Sequence, residues 1–152
     1  MKAGRISVLL SGSAIVLGAM IYVLFRPGEY LLFNWINHVG PEHFIHTLRT
    51  RAHFPRLHLS DWIIYALPDG LWSFAFALMI SSLWSASRSW LKYLWLAIVP
   101  LLILGFELLQ YSPKIPGVCS LQDILFCSAG IAAGYYVGLT PKKPTRHERI
   151  AA

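Results

Sequence analysis

Three of the seven acidic residues, Asp69, Glu107 and Asp123, sit inside or at the edge of long apolar runs. An ionisable group in such a run is expensive, and it usually turns toward a bundle interior or a water-filled cavity. Glu107 is the hardest to treat as an anchor, because apolar residues precede it from Tyr93 onward. It needs a partner, a proton or a cation. Gln110 follows three positions later and shares its helix face. Gln122 and Asp123 open the last apolar run, where the positive end of a helix dipole favours a carboxylate. Asp61 and Lys114 lie near the same boundaries and are weaker members of the set. Taken singly, Asp69 and Asp123 are equally well explained as caps or interfacial anchors. With Glu107 and Gln110 they form a candidate ligand-binding layer.

Two chemistries suit such a layer. It can hold a cationic or polar headgroup, or two close carboxylates can divide the roles of acid and base, one keeping a proton that the other accepts. No Gly-x-Ser-x-Gly nucleophile motif accompanies them, and no histidine lies within an apolar run. Five of the six histidines fall between Arg26 and Ser60. His43 and His46 are three apart beside Glu42, which makes them weak metal candidates, but the His-Glu-x-x-His spacing is missing. No cofactor is expected. Cys119 and Cys127 are eight residues apart, roughly 12 Å along one helix at ~1.5 Å per residue. That exceeds the ~7 Å reach of a disulfide, so both read as small apolar side chains.

The elements that must position these residues are membrane spans. Hydrophobic residues make up 56% of the 152 and charged ones only 13%, where a soluble domain carries about 25% charged. Four runs stand out: 6–25, 62–84, 93–111 and 121–139. About 20 apolar residues cross a bilayer core. The first run ends in Tyr22-Val23-Leu24-Phe25, too bulky for a cleavage site, and reads as an uncleaved anchor. In the second, Pro68 suits a first helical turn, so the helix is expected to start there, with Asp61 to Leu67 along the interface. Pro100 predicts a kink in the third. Gly130, Gly134 and Gly138 in the fourth suit close helix approach, within the chain or, alternatively, in a homo-oligomer. The segment 26–60 carries an apolar stripe (Leu31, Leu32, Trp35, Ile36, Val39) and reads as an interfacial helical loop. The tail 140–152 is basic and polar. The expected fold is an all-α integral membrane protein, a four-transmembrane-helix bundle forming a single membrane domain over 1–139.

The net charge is +6, but the basic residues lie in ends and loops, with no basic face of the kind that binds nucleic acid. They vote on orientation instead. With the N-terminus inside, Lys2, Arg5, Arg88, Lys92, Lys142, Lys143, Arg146 and Arg149 are inside, which is eight. Arg26, Arg49, Arg51, Arg56 and Lys114 are outside, which is five. Positive residues favour the cytoplasm, so both termini are expected there. Asp69, Glu107, Gln110 and Asp123 then all fall near the outer face.

Glu107-Leu108-Leu109-Gln110, followed by Pro116-Gly117, Leu121-Gln122-Asp123 and Gly130, resembles the VanZ-like membrane proteins. Leu67-Pro68-Asp69-Gly70-Leu71-Trp72 is similar to a bacterial subgroup of such proteins, and the likeness spans roughly 67–138. Where many members carry Arg before the Asp, this chain offers Lys114; where many carry Asn two turns later, it has Cys127 or Ser128. The resemblance implies a bacterial inner-membrane protein of the cell envelope, one class being linked to glycopeptide resistance, and implies no known reaction. Three functions follow as expectations. The first is recognition of a lipid headgroup or lipid-linked envelope intermediate. The second is an intramembrane enzyme using Glu107 and Asp123 as acid and base, and the third is a small transporter or channel subunit.

Overall fold

The structure, a computed structural model, describes residues 2–26, 59–110 and 120–140. The expectations for the interfacial loop, His43, His46, Lys114, Cys119 and the basic tail lie outside these residues. The described chain is helical: α1 (Lys2–Phe25), α2 (Asp61–Ile64), α3 (Ala66–Trp84), α4 (Leu91–Leu109) and α5 (Leu121–Leu139). Three stretches are long and apolar enough to cross a membrane, namely Gly4–Phe25, Asp61–Trp84 and Leu91–Leu109. α5 is also 19 residues long. It carries Gln122 and Asp123 in its first turn, with two tyrosines and three glycines further along.

The second span starts earlier than Pro68. Asp61–Ile64 is already helical, and Tyr65, at φ −102° and ψ −52°, stays in the right-handed region before Ala66 opens α3. Pro68 is therefore the third residue of α3, still within the first turn, where its missing N–H removes no intrahelical bond. The stretch from Asp61 to Leu67 continues the span instead of lying beside it.

α3 is the centre of the bundle. α5 runs parallel to it and packs along its length, while α1 packs antiparallel on another face. Small residues set both approaches. A Cβ on Gly134 would stand 2.6 Å from the Phe74 carbonyl oxygen and 2.8 Å from the Ala77 Cβ. One on Gly130 would strike the Gly70 carbonyl, and one on Gly138 the Ser81 side chain. The glycine stripe is thus taken up inside the chain, against α3. Ser81 fastens the same seam by donating to the Leu78 and Gly134 carbonyls at 3.2 and 3.3 Å. On α1 the buried face is Ser7, Ser11, Ala14 and Gly18, another run of small residues. The Trp72 indole covers Gly18 and donates to the Ile15 carbonyl at 3.3 Å.

α4 is attached more lightly, and Val99 is its one buried residue. Val99 joins Ala77 and Ile131 in a small core, flanked by Ile80, Ile103, Leu104 and Tyr135. Pro100 lies within an unbroken helix. It cannot donate to the carbonyl four residues back, which is that of Leu96. The Tyr135 hydroxyl donates to this carbonyl from α5. Neighbouring helices commonly repair the backbone gap that a proline leaves in a span.

Large apolar side chains face outward, among them Val8, Leu9, Val16, Leu101, Phe106, Leu121 and Leu125. Water would make so large an apolar surface untenable; hydrocarbon does not. Where α3 gives way to α4, the Trp84 and Trp95 rings stack at 6.4 Å between centroids. Trp90 and Tyr93 stand exposed nearby, with Arg88 and Lys92. Aromatic and basic residues gather in this way at the edge of a bilayer.

Candidate functional site

Alternating helix direction collects charges at the opposite end. α1 stops at Phe25, leaving Arg26 just past its last turn. Asp69 lies in the first turn of α3, Glu107 in the last turn of α4 and Asp123 in the first turn of α5. These four residues fall within electrostatic reach of one another. The Arg26 charge acts on all three carboxylates, Asp123 acts on Asp69 and Glu107, and Glu107 acts on Asp69. All four side chains are partly buried.

Local structure fixes each position. Arg26 extends the helical pattern, its N–H donating to the Tyr22 carbonyl at 3.2 Å. Its guanidinium lies 4.6 Å from the Tyr22 ring centre and 5.3 Å from that of Tyr65. Such cation–π contacts help hold an arginine in place. Tyr22 in turn packs on Trp72 at 5.7 Å, which ties Arg26 to α3. The Asp69 carbonyl accepts from Ser73 Oγ at 2.7 Å. Ser120 caps α5 by accepting from the Gln122 N–H at 3.2 Å, so Asp123 is set one turn into a defined helix start. Trp62 stacks on Phe126 at 5.5 Å and closes this end of the α3–α5 seam.

Below the charged layer lies a groove of about 390 Å³ between α3 and α4, with Cys127 of α5 at its side. Asp69, Trp72, Ser73 and Phe76 form one wall, and Leu102, Ile103, Phe106 and Glu107 the other. Two carboxylates therefore head a pocket that is otherwise almost wholly apolar. Glu107 Oε2 is sheltered from solvent and has no hydrogen-bond partner among the described residues. Cys127 is a free, buried thiol beside Ser73. Among the described residues, no group of three His, Cys, Asp or Glu side chains is placed to hold a metal ion.

No protein-family model, curated protein or solved structure matches the chain.

The residues singled out from the sequence divide clearly. Asp69, Glu107 and Asp123 come together, and Asp69, not Asp123, shares the groove with Glu107. Gln110 follows the end of α4, with its N–H on the Glu107 carbonyl at 3.3 Å, and does not line the groove. Gln122 is exposed and takes part in the cap through its backbone. Asp61 is exposed in the first turn of α2. Arg26 counted only toward orientation in the sequence, although it closes an apolar run on the same side as Asp69. That shared side was the signal for it. Ser73 carried no signal, because small polar residues in spans are usually packing residues, and Cys127 was read as a small apolar side chain.

Proposed function

We propose that the chain is a four-span membrane protein whose charged layer recognises a lipid headgroup or a lipid-linked envelope intermediate. One observation carries this reading: each of the four long helices delivers one charged residue, Arg26, Asp69, Glu107 or Asp123, to the same end. A mixed layer of this kind offers a donor-rich cation and several acceptors to a polar head. The apolar groove beneath it suits the attached chain. α5 acts as the fourth span, parallel to α3 and packed along it. The eight-to-five balance of basic residues puts this layer at the outer leaflet and both termini in the cytoplasm. The likeness of Glu107-x-x-Gln110 and Gln122-Asp123 to VanZ-like proteins supports an envelope role in a bacterial inner membrane.

A second reading draws on Asp69 and Glu107 facing one groove: an intramembrane enzyme in which one carboxyl donates a proton and the other accepts one. It would reveal itself as a mass change in a lipid incubated with the protein.

Thermal unfolding of the delipidated chain, with and without bacterial polar lipids, tests the first reading. A ligand at a hundred times its Kd stabilises by about 2.7 kcal/mol. The wild type should show a shift of this order. The Asp69→Asn, Glu107→Gln double variant should insert normally and lose it. Equal shifts in both proteins would overturn the proposal.

A further inference from the structure

We propose that the groove between α3 and α4 receives an acyl chain of an amine-headed membrane lipid, with the lipid's ammonium held by Glu107 and Asp69. This rests on the headgroup reading above and names the chemistry of the head and the route of entry.

The head follows from charge. Among the described residues the layer holds three carboxylates and one guanidinium, a formal excess of acidic groups. The guanidinium stands over the Tyr22 and Tyr65 rings, on the α1 side of the layer. The two carboxylates that head the groove come from its two walls, Asp69 from α3 and Glu107 from α4. Glu107 Oε2 is shielded and accepts no hydrogen bond from any described residue. A primary ammonium has three N–H donors, no acceptor and a positive charge, which suits two carboxylates on opposite walls. A quaternary amine has the charge without the donors. A phosphoglycerol head has hydroxyl donors but no positive charge, and its phosphate leaves it net negative.

The groove, about 390 Å³ and walled by Trp72, Phe76, Leu102, Ile103 and Phe106, offers an acyl chain an apolar lining. Entry follows from exposure. Phe76, Leu102 and Phe106 line the groove and are each more than half exposed on the flank of the bundle. The mouth opens sideways, onto surface that meets hydrocarbon, so the occupant arrives from the bilayer.

Native mass spectrometry of the full chain in micelles tests this, with equimolar phosphatidylethanolamine, phosphatidylcholine and phosphatidylglycerol. The wild type should retain phosphatidylethanolamine roughly tenfold over the other two, equivalent to about 1.4 kcal/mol. Glu107→Gln and Asp69→Asn should each erase the preference, so the result does not hang on one variant's folding. Leu102→Trp fills the mouth without touching a carboxylate and should lower retention of all three lipids. Equal retention of the three by the wild type, with Leu102→Trp still lowering it, would overturn the amine assignment and leave the headgroup reading standing. No retention above empty micelles, with Leu102→Trp silent, would overturn both. Binding of free dodecylamine without phosphatidylethanolamine would overturn entry from the bilayer.

Discussion

Pro100 removes one backbone donor from the middle of α4, and the Tyr135 hydroxyl takes its place at the Leu96 carbonyl. Replacing Tyr135 by Phe keeps the ring and deletes only that hydroxyl. The Leu96 carbonyl would then have neither a helical partner nor a side-chain donor. A buried acceptor left unsatisfied costs about 1–3 kcal/mol. Hydrogen bonds between spans average only about 0.6 kcal/mol, with a maximum near 1.7, so the expected loss is on the order of 1 kcal/mol. The decisive measurement is a double-mutant cycle with Pro100→Ala. Alanine restores an amide N–H at position 100, which can bond the Leu96 carbonyl within α4. Tyr135→Phe in that background should therefore be almost silent. Equilibrium unfolding of all four proteins, by steric trapping or titration with a denaturing detergent, gives the coupling energy directly. A coupling below about 0.5 kcal/mol, the scatter expected for independent sites, would refute the claim that Tyr135 repairs the proline gap.

The α3–α5 seam makes a second prediction. Gly134→Ala places a methyl against the Phe74 carbonyl and the Leu78 N–H, backbone that cannot move aside, and should destabilise by about 1–3 kcal/mol. Gly12→Ala meets nothing within 4 Å and should be neutral or stabilising by up to about 1 kcal/mol; similar losses in the two variants, read by the same unfolding assay, would contradict the packing. Gly18→Ala should displace Trp72 from the Ile15 carbonyl, detectable as a change in near-UV dichroism, and an unchanged spectrum would count against that contact. Reporter fusions after Arg88 and after Leu139 should read cytoplasmic, and one after Lys114 should read external. The inverse pattern would move the charged layer to the inner leaflet.

Much of this architecture is local and therefore written along the chain. Apolar runs of span length are visible because every backbone group in hydrocarbon must bond within its own helix, so each span declares itself by its own composition. Successive spans alternate in direction, and that alternation put Asp69, Glu107 and Asp123 at one end before any packing was known. The stripe of Gly130, Gly134 and Gly138 likewise announced a close approach. Its target did not appear in the sequence, since a glycine says only that something comes near. Only the folded chain shows α3 as that target, and Asp61 to Leu67 running on into the span. The same limit applies to the groove. Asp69 lines the groove with Glu107 while Asp123 stays in the charged layer above it, because rotation of a helix about its axis depends on what it packs against. Arg26 joined the layer because its guanidinium lies over the Tyr22 and Tyr65 rings, and Tyr22 packs on Trp72 of α3. Pro100 in the sequence demanded a donor for the Leu96 carbonyl. Which helix would supply it was decided by tertiary contact, since that donor lies 35 positions further along, at Tyr135.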